Sequence, residues 1–156
     1  MECRVVVDTN VFVGAVLKAS GGSNREVLRR CLQRKIQPLI GTALFHEYED
    51  LLDRPAPLAK SPLSPDERRE LFAAFMSVCE WIKVYYLWRP HLPDEGDNHL
   101  VELAIAGGAE VIVTHNISRI HDVIISTNTR LVHRISIKVF VINMVRNARL
   151  IFEIVM

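Results

Sequence analysis

Apolar and polar positions along the chain switch between the period of a strand and the period of a helix. Val5-Val6-Val7 is an unbroken β-branched triplet, the signature of a strand covered on both faces as in parallel sheets. It ends abruptly at Asp8, and Thr9 or Asn10 then stands where a helix from Val11 to about Lys18 needs a cap. Gly21-Gly22 interrupt the pattern. Ser23 and Glu26 have capping-box spacing ahead of a second helix, with Val27, Leu28, Cys31 and Leu32 inward and Arg29, Arg30, Arg34 and Lys35 outward. Gln37-Pro38-Leu39-Ile40 reads as a short second strand. A third helix, roughly Ala43 to Asp53, turns Leu44, Tyr48, Leu51 and Leu52 inward.

Arg54 to Pro65 holds four of the seven prolines and reads as an irregular exposed loop. Ser64-Pro65-Asp66-Glu67 is a second capping box, opening a helix with the core stripe Leu71, Phe72, Phe75, Met76 and Cys79. Between Trp81 and Trp88 the alternation is imperfect, with Ile82, Val84 and Tyr86 on one face. A nearly all-apolar helix through Leu100, Val101, Leu103, Ala104 and Ile105 stops at Gly107-Gly108. Val111-Ile112-Val113 then repeats the first triplet and ends in the polar turn Thr114-His115-Asn116, and Ile135 to Ile142 supplies a last strand. Strands alternating with helices predict an α/β fold, a three-layer α/β/α sandwich around a mainly parallel sheet. With 156 residues and no internal repeat or linker, one domain spanning 1–156 is expected.

Composition adds little to this picture and charge adds one feature. Hydrophobic residues make up 49% and charged residues 24%, with a formal net charge of +1. The last part of the chain, 115–156, holds six Arg or Lys against two acids, so a basic tail follows an acidic body. Cys3, Cys31 and Cys79 are odd in number and far apart, which favours reduced thiols over a disulfide framework. Neither a signal peptide nor an apolar run of the ~20 residues that cross a bilayer is expected, so the reading is a cytoplasmic protein with no membrane partner.

The candidate chemistry is acidic. Ligands of open α/β sheets gather outside the carboxyl ends of the strands, and Asp8 and Asn116 both fall just past such ends. Asp8 taken alone reads equally well as a helix cap. Glu47 lies at the apolar border of the third helix, and Asp97 at the start of the helix feeding the second triplet. No Lys or Arg stands in these short motifs to neutralise them. Carboxylates held close repel unless a cation lies between them, and hard oxygen ligands suit Mg²⁺ or Mn²⁺ better than zinc. Such a cleft suits metal-assisted phosphodiester hydrolysis.

Four stretches carry a resemblance: V-V-V-D-T-N-V at 5–11, A-L-F-H-E-Y-E-D-L-L at 43–52, D-E-G-D-N-H-L-V-E-L-A at 94–104 and V-I-V-T-H-N at 111–116. In order and spacing they resemble the PIN (PilT N-terminus) domain nucleases, and within them the toxin components of prokaryotic toxin–antitoxin pairs. The resemblance implies that Asp8, Glu47 and Asp97 are metal-binding positions. Asn116 falls where many members carry a fourth acid and some carry Asn. It further implies a cytoplasmic Mg²⁺- or Mn²⁺-dependent ribonuclease, often a homodimer, restrained by a small antitoxin. Thr9 and Asp94 are accessory candidates, and Arg119, Arg130 and Arg134 are candidates for gripping RNA. His115, beside the cleft, reads as structural. Residues 117–134 are longer and more polar than the family pattern, and the chain beyond them matches nothing in it.

Two other classes fit parts of the pattern. One is a catalytically weak module of the same fold that binds RNA or protein, suggested by the neutral Asn116 and the unusual last third. The other is an aspartyl-phosphate phosphatase or receiver-like domain, which also opens on a strand ending in Asp. Phosphatases of that kind want a second acid two residues on, where this chain has Asn10.

Overall fold

The computed structural model of the chain describes residues 3–17, 22–85, 98–115 and 138–141. Among them, five strands, β1 (Cys3–Val7), β2 (Ile36–Ile40), β3 (Glu80–Trp81), β4 (Val111–Thr114) and β5 (Lys138–Val141), form one sheet. Their spatial order is β3-β2-β1-β4-β5, and every pairing is parallel. The helices are α1 (Thr9–Leu17), α2 (Ser23–Leu32), α3 (Thr42–Asp53), α4 (Pro55–Leu58), α5 (Pro65–Val78) and α6 (Asn98–Gly107). This is the expected α/β sandwich around a parallel sheet.

The two apolar triplets are neighbours. Val6 pairs with Ile112 and Val7 with Val113 at the centre of the sheet, where all of them are buried. Covering a Val or Ile side chain stabilises by roughly 1.5–3 kcal/mol relative to leaving it in water. That gain holds β1 and β4 in one register and brings their carboxyl ends level. From β1 the strand order runs to β2 on one side and to β4 on the other, so a crevice opens where the connections diverge.

Several local expectations change. Helix α1 starts at Thr9, with the Asp8 carbonyl accepting from the Val11 amide at 3.0 Å. The Thr9 and Asn10 side chains turn to carboxylates instead of capping it. Helix α2 has Gly22 at its N-cap and no side-chain cap. The helix starts one residue earlier than the capping-box spacing requires, so Ser23 is already its first residue, and Glu26 pairs with Arg29 and Arg30 at 2.9 and 3.0 Å. Arg30, expected outward, is buried, its guanidinium satisfied one turn back by Glu26. The proline-rich loop contains the short helix α4, opened by Pro55, and fully buries Leu58. The second capping box forms as expected: Ser64 Oγ accepts from the Glu67 amide at 3.2 Å, and Glu67 Oε2 accepts from the Ser64 amide at 2.7 Å.

Strand β3 is only two residues long, yet it is well anchored. Arg4 grips both Glu80 oxygens at 2.8 and 3.0 Å, and the Ile82 amide donates to Ile40 O at 2.8 Å. Ile82 and Val84 are half-buried as expected, while Tyr86 lies outside the described residues. All three cysteines are free thiols, and burial pushes the Cys79 thiol up to about 12. No helix among the described residues is long and apolar enough to cross a membrane.

Candidate functional site

Asp8 follows the last residue of β1, and its amide continues the ladder by donating to Val113 O at 2.9 Å. The side chain is nearly buried, with the residue 6% exposed. Its Oδ2 accepts from Thr114 Oγ1 at 2.6 Å and from Asn10 Nδ2 at 2.7 Å. Its Oδ1 lies 3.4 Å from Thr9 Oγ1. A threonine hydroxyl carries one proton, and the shorter contact claims it: Thr9 Oγ1 donates to Glu47 Oε1 at 2.8 Å. One hydroxyl therefore stands between two carboxylates.

Glu47 reaches this point because its neighbour Tyr48 docks α3 against the end of β1. The Tyr48 hydroxyl donates to Val7 O at 2.9 Å. Its fully buried ring stacks on Phe72 and meets Phe12 edge-on. Burial holds the Tyr48 hydroxyl protonated, well above its usual range. The Glu47 side chain, 41% exposed, places Oε2 2.8 Å from His99 Nε2 in the first turn of α6. The His99 contact first, and the Thr9 hydroxyl after it, hold the Glu47 carboxyl below its usual range against the opposing effect of partial burial.

Beyond Glu47, a groove of about 250 Å³ runs between α3 and α6, lined by Thr42, Leu44, Val84, His99, Glu102 and Leu103 among others. On the opposite side, Asn10 Oδ1 accepts from the His115 amide at 3.2 Å, and His115 Nε2 lies 2.8 Å from Asn24 Oδ1 on α2. Gly14 leaves room for this bridge, because a Cβ there would overlap the Asn24 amide.

Of the residues singled out by sequence, Asp8, Thr9 and Glu47 come together in one crevice, and His115 is held by α2 at its edge. Asp94, Asp97, Asn116, Arg119, Arg130 and Arg134 lie outside the described residues. Sequence reasoning passed over Asn10 and Thr114, which fix the Asp8 carboxylate, and His99 and Glu102, which share the groove. The spacing of His99 and Glu102, three apart on one face of α6, was the signal for the latter pair. Thr114, ending an apolar strand without breaking its burial, was the signal for the former.

Among the described residues, no three His, Cys, Asp or Glu side chains gather into a metal cage. The donor set nevertheless suits a hard divalent cation. It is two carboxylates and a hydroxyl, all oxygen. Mg²⁺ sites commonly use one or two carboxylates and leave the rest to water and substrate phosphate.

No curated protein and no solved structure matches the chain. A family model described as PIN domain matches residues 4–118, more than half of the sequence and all of the crevice just described. PIN domains are generally nucleases that use divalent metals. By this match and by its parallel α/β sandwich, the chain belongs to the PIN domain family.

Proposed function

We propose that the protein is a divalent-metal-dependent endoribonuclease that hydrolyses phosphodiester bonds of single-stranded RNA, and that it is the toxin of a toxin–antitoxin pair. The observation that carries the reading is the Thr9 hydroxyl shared by the Asp8 and Glu47 carboxylates at the crevice of the sheet. Asp8, Glu47 and Asp97 would hold Mg²⁺ or Mn²⁺. Bound there, the ion supplies polarisation of the phosphate and a nucleophilic water. Thr9 and Tyr48 keep Glu47 over the end of β1, while Asn10 and Thr114 fix the orientation of Asp8. Asn116 orients water or the ion's outer shell, and Asp94 is an accessory ligand. Arg119, Arg130 and Arg134 grip the RNA backbone. The protein acts in the cytoplasm as a homodimer restrained by a small antitoxin.

The test is cleavage of single-stranded RNA with Mn²⁺, with chelator, and with Asp97→Ala. Activity that needs the ion and falls in Asp97→Ala is expected; undiminished cleavage in chelator removes the mechanism. Cytoplasmic arrest on expression, relieved by a small co-encoded protein, tests the toxin role. The phosphatase reading loses ground at Asn10, whose amide donates to Asp8 where that chemistry wants an acid. The catalytically weak module keeps one argument, the neutral Asn116, which adds no charge to hold a second cation.

A further inference from the structure

Past the groove, the chain exposes every second residue. Trp81, Lys83 and Tyr85 face solvent, while Ile82 and Val84 between them are half-buried. Trp81 is 50% exposed and Tyr85 81% exposed, the two large hydrophobic residues among those described that stand out in this way. A core has no use for such residues, and two of them flanking a lysine on one side of a segment form a pattern, not a scatter.

The stripe is held firmly. Its start is pinned by the Arg4–Glu80 pair and by the Ile82 amide on Ile40, and the Trp81 ring packs edge-on against Phe45 of α3, with centroids 5.6 Å apart. It is also continuous with the candidate site. Val84 and His99 line the same groove, and His99 touches Glu47. Lys83 is exposed and makes no ion pair with any described residue.

We infer that Trp81, Lys83 and Tyr85 form a binding track for single-stranded RNA leading out of the cleavage site, the two aromatic rings stacking on bases and Lys83 meeting the phosphate between them. The occupant is argued from chemistry and continuity. Aromatic platforms interleaved with a cation suit an unpaired strand, whose bases offer faces and whose backbone offers charge. A duplex hides those faces. A purely protein partner would gain little from the isolated lysine between the rings. The inference rests on the nuclease reading above and extends it to substrate length.

The test uses the full chain carrying Asp8→Asn, so that RNA is bound and not consumed, with a labelled single strand of about twelve nucleotides, a trinucleotide and a duplex as probes. Tyr85→Ala and Lys83→Ala are each expected to weaken the long single strand about tenfold and to leave the trinucleotide unchanged. Tyr85→Phe should bind like the parent, since stacking survives the loss of the hydroxyl. Replacing bases of the long strand by abasic sites should weaken the parent but not Tyr85→Ala further. In the cleaving enzyme, the same variants should raise KM and leave kcat alone. Both substitutions fall on exposed residues, so folding is preserved, and a thermal melt verifies it. Unchanged affinity for the long strand in a protein that does cleave RNA overturns the track while sparing the nuclease reading. A change in sedimentation without a change in RNA affinity overturns it in favour of a protein interface. Failure of the parent chain to bind or cleave any single strand overturns both.

Discussion

At the end of β1, Asp8 is anchored through its own amide, by a strand threonine and by an asparagine two residues on. Across the Thr9 hydroxyl, Glu47 hangs from a helix, is held by two side chains and is 41% exposed. The two carboxylates border one crevice but are positioned by different physics. Sheet register fixes Asp8, because displacing it would break the β1–β4 ladder and uncover valines. Glu47 is positioned by docking of α3 through Tyr48 and can swing about its own side-chain torsions. Under the proposed mechanism, a fixed carboxylate beside an adjustable one would accept the cation and then follow a substrate that changes shape during reaction.

The largest expected effect comes from breaking the rigid half. Asp8→Asn should lower RNA cleavage by about two orders of magnitude or more, through the loss of a charged ligand to the proposed cation. The fold should survive. The replacement amide can keep its oxygen toward Thr114 and Asn10 and turn its NH₂ toward Thr9, so the cost is about 1 kcal/mol of weakened hydrogen bonds. Circular dichroism with a melt checks the fold, and initial rates check the activity.

Next in size is the response to metal. Two carboxylates sharing one hydroxyl repel each other, and a cation that binds only the folded chain stabilises it by mass action. At about a hundred times its dissociation constant, Mn²⁺ should add ~2.7 kcal/mol, or roughly 5–10 °C for a domain of this size. Asp8→Asn should show much less, and Glu47→Gln an intermediate shift, since the flexible half contributes less to a preformed site. Equal shifts in all three proteins would place the ion elsewhere.

A smaller effect belongs to the tether. Thr9→Val removes the bridging hydroxyl at nearly constant volume and frees Glu47 Oε1, costing about 1 kcal/mol in stability and up to about tenfold in Mn²⁺ affinity. Thr9→Ser should restore most of both. Calorimetric titration separates this from a simple packing defect, which serine would not repair.

The rigid half of this site was legible in the sequence and the adjustable half only in part. Val5-Val6-Val7 and Val111-Ile112-Val113 announce buried parallel strands because no polar residue interrupts them, and Asp8 stands out because it ends one. Glu47 was visible as a charge at an apolar border, but its direction was not, since that depends on where Tyr48 finds an acceptor on β1. The contact with His99 joins residues 52 positions apart on two helices, and no local period encodes it. The same holds for Arg30. Its outward placement followed the helical stripe, whereas burial by neighbouring helices decided the outcome. Ser23 is not a cap because α2 begins one residue sooner, with Gly22 at the N-cap, while Glu26 pairs with Arg29 and Arg30. Local rules worked where one element decides and failed where two elements compete.

The smallest effect probes the adjustable half alone, through pH. Glu47 titrates below its usual range in the folded chain, chiefly because His99 contacts it and Thr9 donates to it. A carboxylate with a depressed folded pKa adds stability that is fully present above its unfolded value, ordinarily about 4.3. That contribution is lost as pH falls through the lowered folded value. The metal-free chain should therefore lose an increment of stability on the acid side of pH 4.3, small because Glu47 is well exposed to screening water and such pairs give about 0–1 kcal/mol. His99→Ala removes the first cause, returns Glu47 toward its usual range and should flatten that limb. Glu47→Gln should flatten it as much, and the double variant should do no more than either alone. Melting temperatures between pH 6 and pH 3 for the four proteins make the comparison. If His99→Ala keeps the full acid limb, His99 does not hold Glu47, and the contrast with the strand-bound Asp8 would rest on Thr9 alone.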